Sequence, residues 1–83
     1  MNTTNKIKSL LTLNKKNLVS FSEHMEVTPQ ATSKKAKNQT WNIKDLLNIA
    51  DLTGTQLAFI DEKGDVVIKF DLSDLQKDDK KST

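Results

Sequence analysis

Along residues 1–54 apolar side chains recur every three or four positions, whereas between Leu57 and Phe70 they alternate. The change falls at Gly54. A period near 3.6 gathers apolar groups on one face of a helix, and a period of 2 gathers them on one face of a strand. Such a chain is helical for about its first two thirds and closes with a short β segment. Its 83 residues suffice for one domain with a small core. There is no cysteine, so neither a disulfide nor a thiolate-bound metal can brace that core.

The first helix is expected to start near Asn2–Thr4, with Thr3 or Thr4 as its cap and Ile7, Leu10 and Leu11 on its inner face. Asn14-Lys15-Lys16 breaks the pattern. A second helix over roughly 16–25 carries Leu18, Phe21, Ser22 and Met25 on one face and turns Glu23 and His24 outward. Thr28 is a good N-cap and Pro29 suits the first helical position, so a third helix runs from Pro29 to about Asn38. The three residues 26–28 are the length of a tight helix-turn-helix connection. Asn42 caps a fourth helix, Asp45 completes a capping box, and Trp41 with Leu46 is placed for a hydrophobic staple. Ile43, Leu46, Leu47 and Ala50 form the expected buried stripe, with Ile49 beside it, and Gly54 ends the helix.

Segments 56–60 and 66–70 flank the turn 61–65, where Gly64 can adopt the left-handed conformation of a short hairpin loop. Leu72–Leu75 adds a short helical turn. The expected fold is mainly α: a four- to five-helix bundle containing a helix-turn-helix, followed by a C-terminal β-hairpin. One domain spans 1–75, with the hairpin at 56–70, and the polar segment 76–83 is expected to be disordered.

The third helix has a good start and little to bury. Gln30, Ser33, Lys34 and Lys37 form one polar stripe, and small Ala31, Thr32 and Ala36 lie opposite. A helix of this kind can hold a polar face in a fixed place, and a helix fits the major groove, where glutamine can bond adenine bidentately. Charge points the same way. Residues 1–50 carry eight lysines against Glu23, Glu26 and Asp45, a net +5, and residues 51–83 carry a net −3. A basic front half suits an anionic partner. No arginine is present, so lysine would serve as the phosphate-binding charge.

The segment Phe21-Ser22-x-x-Met25-x-Val27-Thr28-Pro29-Gln30-Ala31-x-Ser33-Lys34-Lys35, with Trp41-x-x-x-Asp45-Leu46-Leu47-x-Ile49-Ala50-Asp51 after it, resembles the Cro/repressor-type (XRE) helix-turn-helix family. It is most similar to short regulators of low-GC Gram-positive bacteria and their phages, which continue into a strand like Leu57-Ala58-Phe59-Ile60-Asp61 and Gly64. The resemblance covers about residues 5–72. It implies a DNA-binding transcriptional regulator, usually a repressor and usually a homodimer on a palindromic site. On matching positions it implies that Gln30, Ser33 and Lys34 face bases of double-stranded DNA and that Thr28, Lys35 and Lys37 lie near phosphate.

Four positions depart from the family pattern. Glu26 stands at the turn glycine, Leu18 where a backbone-touching glutamine is common, Thr32 where leucine seats the recognition helix, and Asn38-Gln39 in place of arginine-glycine. They leave open a second function: a protein-interaction modulator or antirepressor that keeps the fold and binds another regulator. The alternating hairpin residues Leu57, Phe59, Val66, Ile68 and Phe70 are the expected dimer or partner surface, unless they pack on the fourth helix. An enzyme is disfavoured. His24 is the single histidine, the acids at 61, 62, 65, 71 and 74 do not have calcium-loop spacing, and Gly54 and Gly64 form no phosphate-binding loop. No cofactor, metal or small-molecule substrate is expected. No apolar run reaches the ~20 residues of a membrane span, and the opening residues lack a secretory h-region, so the sequence reads as a cytoplasmic protein.

Overall fold

In a computed structural model, which describes residues 2–75, four helices precede a hairpin. They are α1 (Thr3–Leu13), α2 (Leu18–Met25), α3 (Pro29–Asn38) and α4 (Ile43–Thr53), then strands β1 (Leu57–Ile60) and β2 (Val66–Phe70), and a 3₁₀ turn at Leu72–Leu75. This is the mainly α bundle with a C-terminal hairpin that the two periods predict. The segment 76–83 lies outside the described residues. Among those described, no helix is long and apolar enough to cross a membrane.

Side chains near each helix start in sequence define the boundaries. The α1 cap is Asn2 rather than either threonine, its side chain accepting the Asn5 N–H at 2.8 Å. That frees Thr4 for the interior, where it is buried. Asn17 and Ser20 form a capping box on α2, and Asn42 and Asp45 form the expected one on α4. Helices α2, α3 and α4 each end on a residue in the left-handed region: Glu26 (φ 57), Gln39 (φ 52) and Gly54 (φ 67). Only the last is glycine. Glu26→Gly removes a left-handed side chain costing about 1–2 kcal/mol and adds unfolded-state freedom worth about half of that. The variant is expected to be more stable by about 0.5–1 kcal/mol, read as a higher denaturant midpoint; an unchanged or lower midpoint would show that the carboxylate makes a stabilising interaction there.

Helix α4 is the hub, since α1, α2, β1 and the 3₁₀ turn all pack on it, while α3 packs on α2. The core is Ile7, Leu11, Phe21 and Ile49, enclosed by half-buried Leu10, Leu18, Met25, Trp41, Leu46 and Leu52. Of the expected α4 stripe, Leu47 and Ala50 are buried and Leu46 is half-buried, but its first member is not. Ile49 is 2% exposed and Ile43 is 48% exposed. Ile43 is the first residue of α4. Trp41 lies edge-on to Phe21, with ring centroids 5.6 Å apart. This aromatic contact anchors the chain entering α4 to the core.

The hairpin is antiparallel, with Leu57 opposite Phe70, Ala58 opposite Lys69 and Phe59 opposite Ile68. The register then slips, and Ile60 faces Val66, so Val67 is the extra residue of a β-bulge in β2. Asp61 organises the turn, its carboxylate accepting the N–H groups of Lys63 and Asp65. Asp71 caps the 3₁₀ turn; the Ser73 hydroxyl and then the Ser73 N–H hold its carboxyl below the usual carboxylate range. Asp61, Asp71 and Asp74 of this acidic cluster therefore act as turn and helix caps.

Candidate functional site

At about 100° per residue, Gln30, Ser33, Lys34 and Lys37 occupy about 100° of arc on α3. All four are exposed. Thr32 and Ala36, at 2% and 9% exposure, lie on the other side of the helix and form its seat. Ala31, expected on that inner side, is exposed; it lies about 100° from Thr32, on the flank.

The seat is polar where a larger apolar residue was the expected fitting. The Ser22 hydroxyl of α2 donates to Thr32 Oγ1 at 2.7 Å and also lies 3.0 Å from the Leu18 carbonyl oxygen. Both hydroxyls are shielded from water, Ser22 being 1% exposed, so each needs the other. Thr32 therefore seats α3 through a directed bond, which locates the helix more sharply than apolar contact alone. Leu18 packs against the core and presents no amide to the surroundings.

A second tie runs through α1. Thr4 Oγ1 donates to the Ala36 carbonyl at 2.7 Å and accepts from Trp41 Nε1 at 3.0 Å. The Gln39 side chain, just past α3, accepts the Thr3 N–H at 3.0 Å. Gln39 thus adopts a left-handed conformation that lets it close α3 and hold the start of α1 at once. Nothing in the local pattern identifies these ties, because their partners lie more than thirty residues apart.

The third tie revises an expectation. Lys35 Nζ lies 2.7 Å from Asp45 Oδ2. That carboxylate is 1% exposed and also accepts the Asn42 N–H at 3.1 Å as part of the α4 capping box. Lys35, expected near phosphate, is instead turned back to neutralise a buried charge, and its side chain is 28% exposed. It lies about 140° around the helix from Gln30, beside the seat. Among the described residues, Lys34 and Lys37 are therefore the exposed lysines of α3 outside an ion pair. The residue also expected near phosphate, Thr28, is exposed, but its hydroxyl accepts the Ala31 N–H at 3.1 Å as the helix cap. Among the described residues the Gln30 N–H makes no hydrogen bond, so the α3 N-terminus leaves a backbone donor facing outward.

His24 is nearer to a partner than its outward position in α2 suggested, with Nε2 3.5 Å from Asp51 Oδ2 of α4. Glu26 is exposed in the α2–α3 turn and brings a negative charge to the same end of α3. Among the described residues no group of three or more His, Asp or Glu is placed to hold a metal.

The hairpin divides the expected partner surface. Leu57 and Phe70, at its base, are half-buried, whereas Phe59 and Ile68 are 66% and 55% exposed. Phe59 packs edge-on against Phe70, diagonally across the strands, at 5.7 Å between centroids. The bulge moves Val66 off the Phe59–Ile68 face, so it sits opposite Ile60 on the other side of the ribbon. The ribbon is thus apolar on both faces at its outer end. No family model, curated protein or solved structure matches the chain.

Proposed function

We propose that the protein is a sequence-specific DNA-binding transcriptional regulator of the helix-turn-helix type, with α3 entering the major groove. One observation carries this reading: the polar stripe Gln30, Ser33, Lys34 and Lys37 stands in solvent, opposite a seat fixed by directed bonds to α1, α2 and α4. A reading surface needs that combination, since base recognition requires donors held in register while remaining free to meet a partner. Gln30 and Ser33 supply hydrogen-bonding groups for base edges, Lys34 and Lys37 supply charge, and the free Gln30 N–H offers a phosphate a donor at the positive end of the helix.

The test is an anisotropy titration of the chain on DNA from upstream of its own gene, against scrambled DNA, at rising salt. Selective binding is expected, weakening as salt rises because lysine contacts release counterions. Gln30→Ala should cost ~1–3 kcal/mol on the preferred site and blur its selectivity. Lys34→Ala should weaken binding to all sequences alike and reduce the salt slope by about 1. Binding no tighter than ~10⁻⁴–10⁻⁶ M on every sequence would overturn the proposal.

The Glu26 carboxylate and the withdrawn Lys35 favour a second reading, because both make the α3 face less cationic than its lysine count implies. Under it the same face binds another regulator and modulates it. That reading predicts no selective DNA binding by this chain and loss of the partner's binding to its own site when this chain is added.

A further inference from the structure

We infer that Val27 and Ala31 form a methyl-reading ledge beside Gln30, so that the preferred DNA site carries a thymine next to the adenine that Gln30 bonds. This rests on α3 meeting the major groove, and it adds to that face two residues without a polar side-chain atom. Val27 is 44% exposed and Ala31 is exposed. With half-buried Met25 and buried Thr32 they line a depression of about 60 Å³. That is room for a group about the size of a water molecule, and a methyl is such a group.

The start of α3 holds both residues in place. The Val27 N–H donates to the Ser22 carbonyl oxygen at 3.0 Å, and the Ala31 N–H donates to Thr28 Oγ1 at 3.1 Å. Branching at Cβ restricts the valine rotamer, and alanine has no rotamer to lose. On α3, Ala31 lies about 60° around the axis from Lys34 and about 100° from Gln30, so it borders the polar stripe. Lys35, one turn further along, is drawn to Asp45 at 2.7 Å, and Ala31 stays exposed.

Chemistry selects the base. In the major groove thymine alone among the four bases presents a methyl group. An apolar ledge set against cytosine or guanine leaves their donors and acceptors dehydrated and unpaired, which is costly. Thymine gives the ledge an apolar partner. The register fits as well. Successive Cα atoms are ~3.8 Å apart and successive bases of one strand are ~3.4 Å apart, so the neighbours Gln30 and Ala31 address neighbouring base pairs.

The test is selection of a preferred site from randomised duplex DNA by the intact chain. Anisotropy titrations follow, with each thymine of that site replaced in turn by deoxyuridine, which lacks only the methyl. A thymine beside an adenine is expected, and deoxyuridine there should weaken binding about fourfold, the worth of one buried methyl group. Ala31→Gly removes the alanine methyl, and Val27→Thr keeps the side-chain shape while exchanging a methyl for a hydroxyl. In both, the deoxyuridine penalty should shrink toward none while the preference for adenine stays. Both positions are exposed, so both variants should keep their helical circular dichroism. A selected site without thymine beside adenine, deoxyuridine tolerated at every thymine, or a penalty unchanged in both variants would overturn this inference and leave DNA binding by α3 standing. Failure to select any site would overturn both, and would assign the α3 face to a protein partner.

Discussion

Asp45→Ala is expected to lower the stability of the fold by about 3 kcal/mol, within the range for breaking a buried ion pair. The carboxylate is 1% exposed and serves two structures at once. It caps α4 through the Asn42 N–H and holds the Lys35 ammonium of α3 at 2.7 Å. Losing a cap alone costs ~1 kcal/mol, and the remainder comes from leaving Lys35 beside a seat that no longer neutralises it. Because the Lys35 side chain is 28% exposed, its charge can partly reach water, which sets the figure toward the lower end of the ~3–5 kcal/mol range. For a domain of this length the thermal midpoint should fall by more than ~10 °C. Lys35→Met in the Asp45→Ala background should recover part of the loss, since no buried charge is then unpaired. A loss below ~0.5 kcal/mol, the level of an ordinary surface change, would show that the carboxylate is hydrated rather than enclosed.

Phe21→Ala is expected to cost about 4 kcal/mol. Phe21 is 1% exposed, belongs to the cluster with Ile7, Leu11 and Ile49, and forms a T-shaped pair with Trp41 at 5.6 Å between ring centroids. Truncation removes its transfer free energy, opens a cavity among residues from three helices, and ends the aromatic contact. Small domains fall near the bottom of the 5–15 kcal/mol range of native stabilities, roughly 5 kcal/mol. A substantial fraction of the variant should therefore be unfolded at 37 °C, read from helical circular dichroism and tryptophan emission. Phe21→Leu keeps most of the volume and should cost markedly less. Equal losses for the two variants would place the effect in the aromatic pair rather than in the cavity.

The starts of α3 and α4 were legible residue by residue, whereas α2 begins two residues after the expected 16, behind an Asn17–Ser20 capping box that the sequence reading did not single out. Thr28 before Pro29, and Asn42 with Asp45, hold their helices through bonds between positions three apart, so a reader of sequence already has both partners. The start of α1 falls within the expected Asn2–Thr4, and only its cap differs, because asparagine and threonine are both competent caps. The hairpin followed from its period and Gly64. Its bulge did not, since Val66 and Val67 are equally apolar and alternation alone does not say which of them is extra.

The polar stripe of α3 was likewise written into the spacing of Gln30, Ser33, Lys34 and Lys37. The role of Lys35 was not. A lysine beside two others reads as one more surface cation, and nothing near it in sequence marks Asp45 as its partner. Thr32 looked like a weak seat because its bond runs to Ser22, on another helix.

By itself, then, the order of residues determined where helices begin and end, where the period changes, and which side of α3 is polar. These features depend on groups within one turn of each other, whose geometry the backbone sets as soon as the helix or strand forms. Only the tertiary structure decided that Lys35 neutralises Asp45, that Ser22 holds Thr32, that Ile49 rather than Ile43 is buried, and that the outer hairpin is left bare. Each of those depends on how far one helix is rotated and offset against another, and that is settled by close packing of the whole core at once.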